Sequence, residues 1–241
     1  MRLGGDRVLS GREGPFGGSA GSARPGGPGG FRRPEDDPPG TSRLFIAVPV
    51  ADDVRAAVGD LMAGVARASI EERASGQPRW VRVEGLHLTL RFLGEIGEEQ
   101  KTALSRMLRD VCATAVPMQL AVEGIGAFPN PRRPAVVWAG IRVVMGDLAG
   151  LQQRIEQAAR DIGLGPDNKA FHPHVTLARI RDLAASGGLA KAVAERADGE
   201  MVSFGDEFQT AAVALFRSEL KSGGPVHTRL EEFPLSCKPC S

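Results

Sequence analysis

Two of the four histidines stand in near-identical settings, His87-Leu88-Thr89-Leu90 and His174-Val175-Thr176-Leu177, 87 residues apart. Threonine is scarce, 7 of 241 residues. Independent placement would put Thr two positions after two of four histidines on the order of 0.5% of the time, so the repeat marks two related half-sites. Side chains alternate along an extended strand. His87, Thr89 and Arg91 then share one face, with Leu88, Leu90 and Phe92 opposite; His174 and Thr176 share a face opposite Val175 and Leu177. One such strand alone reads as a half-exposed sheet edge. Two of them, on sheets that face each other, bring two imidazoles and two hydroxyls into one cleft.

Two His and two Thr suit an in-line displacement at phosphorus. A base deprotonates the nucleophile while an acid protonates the leaving oxygen on the opposite side. Imidazole titrates near neutrality, so one copy can be neutral while the other is protonated. The Thr hydroxyls can donate to the non-bridging phosphate oxygens, where charge builds up. The arrangement fits a strained cyclic phosphodiester and asks for no metal and no cofactor.

Other chemistry-bearing residues have plainer readings. His172-Pro173-His174 could form a metal pair with His87, but matched carboxylates are lacking and a metal-bound His174 could not act as a free base, so His172 reads as a loop residue. Cys237-Lys238-Pro239-Cys240 offers only two of the four ligands a zinc site takes and reads as an exposed tail. Gly124 and Gly126 lack the strand–Gly-x-Gly-x-x-Gly–helix context of a dinucleotide site and read as loop glycines. Arg132 and Arg133 fit either an RNA-guiding role or a solvated loop.

The elements that must position the histidines follow from hydrophobic periodicity. Ser42–Val50 reads as a buried strand. Asp52–Ala74 reads as a helix with Asp52 and Asp53 at its electropositive start, ended by Gly76-Gln77-Pro78. Trp80–Gly94 reads as two strands parted near Glu84-Gly85, and Glu98–Ala115 as a second helix. Strands follow at Met118–Val122 and Ala135–Val143, joined by a Pro-rich loop over 129–134. Asp147–Ile162 is a third helix, His174–Ile180 a strand and Leu183–Arg196 a fourth helix. Val202–Phe204, Ala211–Ser218 and Val226–Leu230 complete the strands. Strands pair beside helices without strict alternation, so the fold class is α+β with antiparallel sheets.

The chain has 241 residues, 42% hydrophobic and 24% charged, with 30 Lys+Arg against 29 Asp+Glu. That balance excludes a bulk electrostatic nucleic-acid binder. It leaves room for a local phosphate site, because 25 of the 30 cations are Arg, the residue suited to bidentate phosphate contacts. No apolar run reaches membrane-spanning length. Three cysteines point to a reducing, cytoplasmic setting. Tyr is absent, which excludes a tyrosine nucleophile. Residues 1–40 hold 12 Gly and 6 Pro and lack a signal-peptide apolar stretch; they read as a disordered extension. The globular domain is expected over 41–234, with a tail over 235–241.

The residues also carry a family likeness. Leu44-Phe45-Ile46-Ala47-Val48 opens it. Leu86 to Gly94, Phe128 to Pro134 followed by Val137-Trp138-Ala139-Gly140, and Pro173 to Arg179 follow in order. Leu215, Ser218, Leu220 and Gly224-Pro225 match its closing segment. Together they resemble the bacterial and archaeal RNA 2′,3′-cyclic phosphodiesterases, also called the 2′-5′ RNA ligase family, of the two-histidine phosphoesterase superfamily. The likeness spans nearly all of residues 43–233. It implies two pseudo-symmetric lobes whose antiparallel sheets face a central cleft, with helices outside.

The activity implied is hydrolysis of a 2′,3′-cyclic phosphate at an RNA 3′ end to a 2′-phosphomonoester. His174 would be the proton acceptor, His87 the proton donor, and Thr89 and Thr176 the phosphate-binding pair. Arg179 and Phe92 match substrate-contacting positions. Strict alternation puts both opposite their histidine, so a bulge is required to turn either inward. The family usually carries Tyr where this chain has His227, which implies altered nucleotide contacts or, equally, a plain surface histidine. The expected partner is an RNA with a cyclic phosphate end, tRNA fragments among the candidates, acted on by a monomer. None of the five Lys sits in the Lys-x-Asp-Gly motif of ATP-dependent ligases, so any joining would be hydrolysis reversed. Action on 2′-5′ linked oligonucleotides or small cyclic nucleotides stays open, as does a non-catalytic RNA-binding module.

Overall fold

The computed structural model describes residues 40–71, 78–180, 187–197, 203–221 and 224–236. Residues 1–39 of the Gly/Pro-rich extension and residues 237–241 of the tail lie outside them. The first strand, β1 (Thr41–Pro49), is buried without interruption from Leu44 to Val48, as expected of a strand covered on both faces. Leu44, Ile46 and Val48 join the main core, while Phe45 turns to the opposite face. Helix α1 (Asp52–Glu71) follows, burying Val54, Val58, Met62 and Val65 along one stripe. A two-residue strand β2 (Arg79–Trp80) and a short 3-10 turn (Val83–Gly85) lead into β3 (His87–Gly97).

Helix α2 (Glu98–Ala113) buries Leu104, Leu108 and Cys112. Strands β4 (Met118–Phe128) and β5 (Val136–Met145) form a long hairpin. Helix α3 (Leu148–Asp161) starts at Asp147, whose carboxylate accepts from the Gly150 N–H at 2.8 Å, an N-cap that satisfies one of the helix's free donors. Strand β6 (His174–Arg179), helix α4 (Gly187–Ala197) and strands β7 (Phe208–Thr210), β8 (Ala212–Lys221) and β9 (Gly224–Pro234) complete the described chain.

All strand pairs are antiparallel, and eight strands run in the order β7-β4-β5-β6-β3-β1-β8-β9, with β2 added on β6. The sheet has two halves, β3-β1-β8-β9 and β6-β5-β4-β7, with one histidine strand at the inner edge of each. They join through the Leu88–Val175 pair. Helix α1 packs on α4, and α2 packs on α3 and β9. This is the α+β architecture expected, with helices covering the face away from the histidines. Among the described residues no helix is long and apolar enough to cross a membrane.

Several local expectations are corrected. Gly124 and Gly126 are strand residues of β4, which runs six residues beyond Val122. Gly124 has φ 65° where β4 shifts register against β5, a conformation suited to glycine at a bulge. Gly126 lies under the Trp138 indole, in space a Cβ would fill. In the expected strand Val202–Phe204, Ser203 makes an isolated bridge to Glu123 and Val202 lies outside the described residues. Strand β7 was not expected.

Candidate active site

The Leu88–Val175 pair is the local two-fold centre of the site. Both residues are fully buried in the core, and each follows a histidine. The antiparallel register through that pair sets His87 beside Thr176 and Thr89 beside His174. All four half-buried side chains lie on the face opposite the core. The two histidines are then diagonal neighbours across the pair, which in a regular ladder sit about 7–8 Å apart.

Each imidazole is held the same way. His87 Nδ1 is 2.7 Å from the Gly85 carbonyl, and His174 Nδ1 is 2.6 Å from the His172 carbonyl. A carbonyl only accepts, so both Nδ1 atoms carry a proton and donate. Both Nε2 atoms are then left to exchange protons with a ligand. The two acceptors lie two residues before their histidine in different backbone settings, a 3-10 turn and the loop through exposed His172.

The strands also share an irregularity. On β3, Ile46 of β1 faces Arg91 while Ala47 faces Thr89, so Leu90 is the extra residue. On β6, Val137 of β5 faces Ala178 while Trp138 faces Thr176, so Leu177 is the extra residue. Leu90 and Leu177 each lie three residues after their histidine. The bulge reverses the parity of the residues just after it, up to a second register shift at Leu93 on β3. Phe92 therefore comes to the histidine face, 6.0 Å from Phe45 between ring centroids and 55% exposed. Arg179 comes to the corresponding place on β6. Arg91 is corrected: it leaves the face of His87 and Thr89 and is buried on the core side.

Aromatic side chains wall both rings. His87 lies 4.8 Å from Phe45 and 6.0 Å from Phe216, with His227 edge-on at 5.3 Å. His174 lies 5.2 Å from Phe128 and 6.1 Å from Trp138. Phe45, Phe216 and Phe128 belong to the site although neither motif contains them. Their signal was alternation alone: Phe45 stands out of phase with the core residues Leu44, Ile46 and Val48. His227 is on β9 opposite Ser218. Its Nδ1 is buried with no hydrogen-bond partner among the described residues. Arg132 and Arg133 are exposed in a turn whose backbone N–H groups donate to Asn130 Oδ1, both at 3.1 Å.

This walling sets the electrostatics. Burial pushes His87 down to about 4, against the pull of the Gly85 bond and helped by the charges of His227, Arg179 and His174. Burial also lowers His174, with Arg179 and His172 adding to it, and lowers His227 beside Arg179. The guanidinium of Arg179, itself lowered by burial, thus acts on all three imidazoles. Without a ligand these groups favour the neutral form. An anion among them would favour the protonated form.

A cavity of about 220 Å³ opens beside His87, lined by Arg55, Glu84, Phe216, His227 and Arg229 among others. A larger open groove of about 490 Å³ lies between the end of α2 and the start of α3, and none of the motif residues line it. Among the described residues no three His, Cys, Asp or Glu side chains are grouped to hold a metal.

Comparison with known proteins gives a consistent answer. The family model described as LigT like Phosphoesterase matches residues 49–138 and 142–227. An RNA 2′,3′-cyclic phosphodiesterase from Thermus thermophilus is 36% identical over 80% of this chain and 90% of its own length. One from Methanothermobacter thermautotrophicus is 30% identical over 80% of this chain and 98% of its own. The crystal structure of E. coli LigT complexed with 3′-AMP has a TM-score of 0.63 at 25% identity, covering 82% of this chain and 99% of that one. With its motifs, its antiparallel halves and these relatives all in agreement, the chain belongs to the LigT-like phosphoesterase family.

Proposed function

We propose that this protein hydrolyses 2′,3′-cyclic phosphate at RNA 3′ ends to a 2′-phosphomonoester without a metal. The observation that carries this reading is the pair of imidazoles related across Leu88–Val175, each with Nδ1 tied to a backbone carbonyl and Nε2 free. His174 Nε2 takes a proton from water as the water oxygen bonds to phosphorus. The bond from phosphorus to O3′ breaks on the opposite side, and protonated His87 gives its Nε2 proton to O3′. His174 ends protonated and His87 neutral, and exchange with solvent restores the start. Thr89 and Thr176 donate to the non-bridging oxygens. Arg179 neutralises the phosphate charge, and Phe92 and His227 contact the nucleotide. The phosphate anion supplies the field that loads His87 with its proton.

The same groups, with an RNA 5′-hydroxyl in place of water as the nucleophile deprotonated by His174, would open the cyclic phosphate to a 2′-5′ linkage without ATP. RNA bearing a 2′,3′-cyclic phosphate, tRNA fragments included, is the partner this reading requires. The test is an RNA with such an end, incubated with the protein in excess chelator, followed by location of the product phosphate. A 2′-phosphate formed at the untreated rate supports the proposal. A 3′-phosphate rejects the assignment of the leaving oxygen, and loss of turnover restored by zinc rejects metal independence.

The aromatic wall around His87, formed by Phe45, Phe216 and His227, offers stacking surface for a single base, which favours a second reading in which small cyclic nucleotides are also substrates. Comparing a cyclic mononucleotide with a cyclic-ended oligonucleotide separates the two.

A further inference from the structure

Arg91 has no role in that reaction, yet it is buried and held by several partners near the site. Its side chain is 7% exposed. Nε lies 2.5 Å from Glu156 Oε2 of α3. Nη1 donates to the Phe92 carbonyl at 2.8 Å and lies 3.6 Å from Asp167 Oδ2. Nη2 donates to the Gly165 carbonyl. Glu156 Oε1 in turn accepts from the Asp167 N–H at 3.1 Å and from Arg160 at 2.8 Å. One turn earlier on the same helix face, Gln152 donates to the Leu90 carbonyl at 3.4 Å, and Leu90 is the bulged residue of β3.

These contacts join three pieces of chain. The bulge puts Arg91 on the core side of the strand that carries His87. Helix α3 receives it through Glu156. The connection after α3 is gripped at Gly165 and Asp167, and that connection runs on to His172, whose carbonyl holds His174. From this geometry we infer that Arg91 is a positioning residue: it fixes the segment delivering His174 against the strand carrying His87, and so sets the separation of the two imidazoles. The inference rests on the reaction proposed above for its effect on rate, but not for its effect on His174.

The chemistry of the guanidinium supports this over simple packing. Its planar fork donates to the Phe92 and Gly165 carbonyls while its charge lies against Glu156 and Asp167, an arrangement that a lysine ammonium cannot reproduce. A well-packed apolar pair can replace a buried ion pair with little change in stability. Such a pair would hold strand to helix but would not grip Gly165 and Asp167.

The test compares Arg91→Met/Glu156→Met, Arg91→Lys and the unmodified enzyme in two ways: steady-state rates on a cyclic-ended RNA, and NMR of the His87 and His174 Nδ1–H protons. In the double variant kcat is expected to fall about 10²-fold, the loss that a misplacement of about 1 Å can cause, with KM little changed. The His174 Nδ1–H signal should shift or broaden by exchange, while that of His87, anchored at Gly85, stays. Arg91→Lys should give the same pattern more weakly, and it decides the matter if the double variant does not fold. A folded variant with unchanged kcat and an unmoved His174 signal overturns the inference, as does a loss of stability with that signal unmoved. If the unmodified enzyme does not open the cyclic phosphate, the proposed reaction fails while the NMR comparison still decides the coupling.

Discussion

The two imidazoles share a hydrogen-bonding plan but differ in surroundings, and the difference decides how each titrates. His87 is packed among Phe45, Phe216 and His227, and burial with neighbouring positive charge brings it to about 4. His174 is lowered for the same first reason. In the proposed reaction His174 must be neutral and His87 protonated. The profile of kcat/KM reports the free enzyme, so its bell should peak below the ordinary imidazole value of 6.5. The profile of kcat reports the complex, where the phosphate anion raises both groups, and should lie at higher pH. A kcat/KM optimum above pH 7 would contradict the burial argument. Removing either imidazole as His87→Ala or His174→Ala should lower kcat by about 10²–10⁴-fold, the usual worth of one proton-transfer group, without unfolding the chain. Full activity in either variant would reject that residue's role.

At the scale of elements, the bulges do what alternation alone does not. Period-two patterning made the His/Thr faces and the apolar faces legible from sequence, and the repeat showed that there are two. It could not place Leu90 and Leu177 as extra residues, because a bulge is a matter of pairing between strands and leaves no mark in one strand's composition. Strict alternation puts Arg91 on the wrong face for that reason. Gly124 and Gly126 misled for another: glycine usually breaks a strand, yet here one supplies a positive φ and the other clears space for an indole. Strand β7, three residues long, is too short to show a period. The Gly126 reading is testable. Its Cβ would overlap the Trp138 ring, and Trp138 stands opposite Thr176 and beside His174. Gly126→Ala should therefore cost about 1–3 kcal/mol by overpacking and slow turnover. Trp138→Leu should relieve much of the overpacking in the double variant. Strictly additive losses in denaturant melts, across the cycle of single and double variants, would show that the indole is not what Gly126 accommodates.

At the scale of the whole molecule, two half-sheets meet at the registered pair Leu88–Val175, so the helix layer and the Arg91 cluster must help hold the cleft. The cleft carries three imidazoles whose burial favours their neutral forms, and that links function to stability. For each, the folded value lies below the unfolded one, so as pH falls from 6.5 the unfolded chain takes up protons first. Stability rises with pH wherever the unfolded state binds more protons, and it is therefore lost on acidification between about pH 6.5 and the folded value of about 4 for His87. Burial works to raise Glu156, but Arg160, the Asp167 N–H and Arg91 together hold it below 4.5, so it adds its own loss only from about that pH downward. The interval from pH 7 to 5 thus isolates the histidines. Thermal midpoints should fall across it, and fall less in His87→Gln. Inorganic phosphate, bound among the imidazoles and Arg179, should restore much of the loss, because a ligand at 100 times its Kd adds about 2.7 kcal/mol and this one also favours the protonated rings. A midpoint flat from pH 7 to 5, or one lowered equally in His87→Gln, would mean that the imidazoles are not held neutral by burial; the proton-loading role given to the substrate phosphate would then have no basis.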